Sequence, residues 1–168
     1  MAILVVVGLV GTGMLSANPK AGVSVTVSMK GAHSSPGGYG AKGGYPFDVG
    51  GTVDVDGAVL AKGGNEALKA IFNSCKDRKN SNAPVTAVEG DLKVADGKVT
   101  GNVKVTWNYQ GNPLWCSGDI EGTITVSGGT ATAISFEGKN VKAGGSWNWG
   151  GGAANLGGKG AFSVKSGN

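Results

Sequence analysis

Three glycines near the start of the chain have the spacing of a dinucleotide-binding turn. Gly8, Gly11 and Gly13 follow an apolar run, as do the glycines that approach a pyrophosphate. Such a site also needs a long helix after the glycines and an acidic residue about 20 positions further on. Here Pro19 and Gly22 would stop a helix, and a β-type sequence follows. We therefore expect no nucleotide cofactor.

The ionisable residues that could catalyse a reaction are scattered along the sequence. Asp54 and Asp56 resemble the start of a calcium loop, but the later acidic ligands are missing, which indicates a turn. Asp119 and Glu121 alternate about 7 Å apart on one strand face, as a glycosidase pair could, but nothing else supports that role and a solvated strand face is the better explanation. His33, the single histidine, has no assignable acidic partner, and we expect it to be exposed in a loop. The sequence predicts no enzyme and no metal site.

Two cysteines, Cys75 and Cys116, allow one disulfide or two separate buried thiols. In an exported protein we expect them to pair, with a stabilisation of about 4 kcal/mol from loop closure. Together with one histidine they supply too few soft ligands for zinc.

Aromatic residues in glycine-rich segments are candidates for surface contacts. Trp147 and Trp149 alternate, so both would project from one face of a strand. Tyr39 and Tyr45 lie in a second glycine-rich segment. Exposed aromatic rings stack on sugars or pack against partner subunits, whereas the alternative for the tryptophans is the edge of a core strand.

The first 18 residues form a separate apolar segment, because the first charged side chain is Lys20. We interpret residues 1–18 as an assembly arm that belongs to the working protein, and residues 19–168 as a glycine-rich antiparallel β-domain. Helix and strand both remain open for the arm, since its β-branched residues favour a strand while a dry environment favours a helix. The predicted assembly residues are Ile3, Leu4, Val5, Val6, Val7, Leu9, Val10, Met14 and Leu15.

The composition is that of an extracellular β-protein rich in turns. Glycine accounts for 33 of 168 residues, and charged residues for only 15%. The net charge of +4 comes from scattered lysines, with Arg78 the only arginine. Nucleic-acid binding is therefore not expected, because it uses clustered basic residues and arginine forks.

Hydrophobic periodicity predicts a mainly β fold, an antiparallel sandwich or barrel with one short helix. Val23 to Met29 alternates strictly between apolar and polar residues. Asn65 to Arg78 has an apolar stripe at helical spacing, with Asn65 as the N-cap. Asp96-Gly97 predicts a tight hairpin turn. We interpret residues 47–60 as a bent strand or strand pair, and residues 143–160 as a low-complexity segment.

An apolar N-terminal segment, a Pro or Gly break and a sparsely charged β-domain together resemble the plan of archaeal type IV pilins. The resemblance implies that residues 2–17 form a helix in a filament core and residues 23–168 the outer wall. It implies a structural subunit at the cell surface or outside the cell, whose partners are copies of itself and, transiently, a membrane. A second filament class donates an N-terminal strand to the next subunit, and alternating Ile3, Val5, Val7 and Leu9 suit that role.

The alternative function is a secreted binding module. In this case Trp147, Trp149 and the two tyrosines would recognise carbohydrate, with surface glycans as partners.

Overall fold

The computed structural model describes residues 22–34, 44–148 and 152–167, which form one closed antiparallel β-barrel with strands in chain order. The arm, Tyr39 and Trp149 lie outside the described residues. The strands are β1 (Gly22–Ser34), β2 (Tyr45–Asp56), β3 (Lys76–Asp77), β4 (Ala83–Ala95), β5 (Lys98–Tyr109), β6 (Asn112–Ser127), β7 (Thr130–Asn148) and β8 (Ala153–Ser166); the helices are α1 (Gly57–Lys62) and α2 (Gly64–Phe72). The predicted mainly β, antiparallel architecture is confirmed, and of the two predicted forms, sandwich and barrel, the structure is a barrel.

The alternation predicted for β1 is confirmed. Val23, Val25, Val27 and Met29 are buried, while the residues between them face outward. β1 pairs with β2 on one side and with β8 on the other, so the first and last strands close the barrel. Because neighbouring strands are antiparallel, Gly22, Asp56 and the 96–97 and 128–129 turns share one end, named here the helix end.

The wall between β2 and β4 is completed by a helix. The two-residue strand β3 joins β2 to β4 over a short stretch only. Beyond it α2 packs on β4 and buries Leu68, Ile71 and Phe72, each of which gains about 1.5–3 kcal/mol from leaving water. The Asn65 side chain donates hydrogen bonds to the carbonyls of Val88 (3.3 Å) and Gly90 (3.1 Å), which satisfies strand groups that lack a strand partner.

Large aromatic rings cover glycines on neighbouring strands, which accounts for part of the glycine content. Phe47 is paired with Gly31, and a Cβ at Gly31 would lie 2.7 Å from Phe47 Cζ. Trp115 is paired with Gly144 in the same way, whereas a Cβ at Gly122 would meet Phe136 at its Cα and Cβ, 2.5 Å away. A side chain at these glycines would displace the ring or the adjacent backbone. The glycines are therefore part of the packing of the wall.

The helical part of the chain differs from the prediction of one helix over residues 65–78. There are two short helices, because Asp56 starts α1 as an N-cap, with its Oδ1 accepting from Ala58 N at 2.9 Å. The turn predicted around Asp54 and Asp56 is therefore the start of a helix. α2 ends at Phe72, and Gly63 precedes it as the N-cap in place of Asn65.

The hairpins are partly as predicted. The predicted turn at Asp96-Gly97 is confirmed, and Gly128-Gly129 forms a second turn of the same kind, with positive φ at all four residues as a type I′ turn requires. Residues 143–160, predicted as a low-complexity segment, instead contain the paired ends of β7 and β8. Among the residues that the structure describes, neither helix is long and apolar enough to cross a bilayer.

The predicted disulfide is not formed. Cys75 and Cys116 are both free, buried thiols, which agrees with the alternative of two separate core cysteines. Cys75 Sγ donates to the Ile71 carbonyl at 3.7 Å, after the end of α2, whereas Cys116 lies on β6 and faces the interior. Each thiol thus packs as a small apolar group.

Candidate binding site

Three aromatic side chains converge at the barrel end opposite the helix end. Tyr45 begins β2, Tyr109 ends β5 and Trp147 lies near the end of β7. The antiparallel register places these strand termini at the same rim. All three side chains are partly exposed. We name Tyr45, Tyr109 and Trp147 the aromatic mouth.

The rings of the aromatic mouth hold one another in place. Tyr45 and Trp147 are nearly parallel, with 5° between their planes and 6.3 Å between their centroids. Tyr109 tilts against Trp147 at 40° and 5.7 Å. Offset and tilted contacts of this kind are the favourable arrangements of aromatic pairs. The mouth therefore presents a preorganised apolar surface to solvent.

A small recess lies beneath these rings. Its volume is about 30 Å³, and besides the aromatic mouth it is lined by His33, Asn80, Leu114 and Leu156. Both leucines are buried. A space of this size holds about two water-sized groups, so only the end of a ligand could enter it.

His33 forms part of the recess, and the expectation that it is exposed is wrong. The side chain is 1% exposed and packs against Phe47 (4.9 Å between centroids) and Trp107 (5.7 Å). Its Nε2 lies 3.4 Å from the Trp115 carbonyl oxygen. Burial lowers the pKa of His33 below 6.5, against the smaller opposing effects of the Trp115 and Gly144 carbonyls and of the Asp77 charge. The imidazole is therefore neutral at pH 7.

Asn80 supplies an amide to the recess and is held by a polar network. Its Nδ2 donates to Asp77 Oδ2 at 2.6 Å and to the Pro46 carbonyl at 3.2 Å. Asp77 is fully buried, and its Oδ1 accepts from the backbone N–H groups of Asp48 and Lys79. This network fixes the orientation of the Asn80 amide.

Trp107 carries a buried polar atom next to this site. Its ring is fully buried against Phe47, and within the described residues its Nε1 has no hydrogen-bond partner. The ring packs against both His33 and Phe47 and so supports the imidazole from within the barrel.

The other candidates of the sequence lie apart from the recess. Asp119 accepts a hydrogen bond from Asn140 Nδ2 at 2.8 Å, and Glu121 lies 3.9 Å from Lys139 Nζ. Both carboxylates therefore make polar contacts on the outer surface of the barrel. The thiols are protonated, because burial raises the pKa of Cys75 to about 11 and that of Cys116 to about 12. Across residues 22–34, 44–148 and 152–167, no cluster of three or more His, Cys, Asp or Glu residues could hold a metal ion.

The structure brings two predicted contact residues together, Tyr45 and Trp147. Sequence reasoning missed Tyr109, Asn80 and His33 as their neighbours. By strand alternation Tyr109 shares the face of the buried Trp107, and its place at the end of β5 is the signal that it lies at the rim. The pairing of Asn80 with this rim depends on the fold of the 78–82 turn, which the sequence does not specify.

Comparisons of this chain with protein-family models, with curated proteins and with solved structures found no match, so its function is inferred from the site itself.

Proposed function

We propose that this protein is a binding module that recognises carbohydrate at the aromatic mouth, without catalysis. The observation that carries the proposal is the convergence of Tyr45, Tyr109 and Trp147 above a recess that has polar and apolar walls. A sugar ring has an apolar face and a rim of hydroxyl groups. The aromatic rings suit the face, and the Asn80 amide suits a polar substituent of the ring.

The charge of the site supports an uncharged ligand. The recess is lined by His33, two tyrosines, Trp147, Asn80 and two leucines. None of these side chains carries a charge at pH 7, since the pKa of His33 is lowered. A charged ligand group would lose its hydration there without an ion-pair partner among the described lining residues.

A glycan array followed by isothermal titration calorimetry tests the proposal. Trp147→Ala removes the ring that contacts both tyrosines, and a stacking contribution of about 1.4 kcal/mol predicts at least a tenfold loss of affinity. Trp115→Ala is the matched control, because it deletes a partly exposed indole from β6, outside the recess lining. Equal affinity in the wild type and Trp147→Ala, or equal loss in both variants, contradicts the proposal.

A second proposal concerns the arm. We infer that the uncharged segment 1–17 drives self-association into a filament at the cell surface, since its apolar side chains favour burial between copies. Gly22 lies at the helix end, so the chain enters the barrel opposite the aromatic mouth. Because β1 pairs with both β2 and β8, neither of its edges can accept a donated strand, which favours arm-to-arm packing.

Deletion of residues 1–17 tests this second proposal. We expect the full chain to form polymers in negative-stain electron microscopy and the truncated chain to sediment as a folded monomer. Polymers of unchanged appearance after truncation contradict the proposal.

A further inference from the structure

We infer that the aromatic mouth recognises the acetamido group of an N-acetylated sugar, which it inserts into the recess beneath the rings. The inference rests on the proposed carbohydrate binding and adds its ligand class. An acetamido group combines a methyl, an amide N–H and an amide carbonyl in a small planar unit. The recess offers a matching combination of size, apolar wall and hydrogen-bond acceptor.

The size and the walls of the recess suit the acetyl end of this group. A volume of about 30 Å³ excludes a whole sugar ring but admits a group of two or three heavy atoms. Leu114 and Leu156 are 4% and 7% exposed and form its apolar side. A hydroxyl group at C2 has no methyl to cover these leucines, so the apolar side of the recess would stay hydrated.

The acceptor is the amide oxygen of Asn80. The Pro46 carbonyl can only accept a hydrogen bond, so the group of Asn80 that faces it is the amide nitrogen. The same nitrogen donates to Asp77. The Oδ1 atom remains to accept a hydrogen bond from a ligand, and it takes no donor from within the described residues. An acetamido N–H fits this acceptor.

Asp77 is a positioning residue in this scheme. It does not line the recess, but its buried carboxyl accepts hydrogen bonds from the Asn80 amide nitrogen and from two backbone N–H groups. Rotation of the Asn80 amide would set its oxygen against the Pro46 carbonyl and the Asp77 carboxyl. The acceptor is therefore oriented before the ligand arrives, which lowers the entropy cost of binding.

Chitotriose and cellotriose form the matched pair of probes, because they differ only in the acetamido group at C2. We expect titration calorimetry with the full chain to show at least tenfold tighter binding of chitotriose. Asn80→Ala should reduce chitotriose affinity to the level of cellotriose and leave cellotriose affinity unchanged. Asn102→Ala is the control, since this asparagine is exposed on β5 and does not line the recess.

A variant that fills the recess provides an independent readout. Leu156→Phe should weaken chitotriose binding at least tenfold with little effect on cellotriose, and thermal unfolding checks that each variant folds. Equal affinity of the wild type for the two trisaccharides overturns the inference but leaves carbohydrate binding standing. Binding of neither trisaccharide also overturns it, and the glycan array then decides the proposed function separately.

Discussion

Acidification tests the placement of His33, because the barrel buries this side chain in its neutral form. The imidazole is 1% exposed and lies between Phe47 and Trp107. Burial lowers its pKa below 6.5, and the Trp115 and Gly144 carbonyls and Asp77 offset this only in part. The unfolded chain, in which His33 is hydrated, therefore binds a proton at higher pH than the folded barrel does.

The magnitude follows from proton linkage. The stabilisation from a neutral His33 is complete above pH 6.5 and is lost as the pH falls from 6.5 through the lowered pKa of the folded state. One proton limits the slope to about 1.4 kcal/mol in the free energy of unfolding per pH unit. In a domain of this size, that slope corresponds to roughly 3–5 °C in Tm per pH unit.

Thermal unfolding followed by circular dichroism, at pH values between about 5.5 and 7.5, measures this slope above the range in which most carboxylates titrate. His33→Gln is the comparison, since its amide can still donate to the Trp115 carbonyl but does not titrate. We expect the Tm of the wild type to fall more steeply with acid than the Tm of the variant. Parallel pH profiles would show that His33 is not buried as the structure places it.

Three further predictions concern the wall and the thiols. Gly122→Ala should lower the free energy of unfolding, measured by chemical denaturation, by about 3 kcal/mol, because its Cβ would overlap a carbonyl of β7. Gly51→Ala is the control and should cost under about 1 kcal/mol, since the space at its Cβ is open. Equal costs of the two substitutions would contradict the packing described. Asn65→Ala should cost about 1–3 kcal/mol in the same assay through the loss of two hydrogen bonds to β4, and an unchanged midpoint would contradict their role. Cys75 and Cys116 should resist iodoacetamide at pH 8 in the native protein and react rapidly in guanidinium, since burial holds both as thiols. Mass spectrometry measures the labelling, and rapid labelling of the native protein would contradict the prediction.

The sequence predicts those parts of the fold in which side-chain alternation carries information. β1 was predictable because Val23 to Met29 alternates without interruption, and the turn at Asp96-Gly97 because both residues tolerate positive φ. The paired ends of β7 and β8 were not predictable as strands, because glycine has no side chain to show which face is buried. Their role becomes visible only through a ring on the neighbouring strand, as where Trp115 covers Gly144.

The candidate site was predictable only in its individual residues. Tyr45 and Trp147 stood out as aromatic residues in glycine-rich surroundings, but their contact follows from barrel closure. His33 was misplaced because a polar residue among Gly and Ser normally indicates a loop, whereas here it extends β1 and is covered by two rings. Asn80 had no signal at all, since its orientation depends on a buried carboxyl three residues before it.

The two proposals concern opposite ends of one barrel, so both can hold for the same molecule. The chain enters at the helix end through Gly22, and the aromatic mouth lies at the far rim. Association through residues 1–17 would therefore leave each mouth facing away from the point of attachment. A single shallow aromatic site binds a sugar weakly, because only part of the ligand leaves water. Repetition of that site along a polymer would raise the effective concentration of neighbouring sites and strengthen attachment to a glycan-covered surface. Taken together, the two proposals describe an adhesive polymer in which the strength of attachment comes from the number of aromatic mouths.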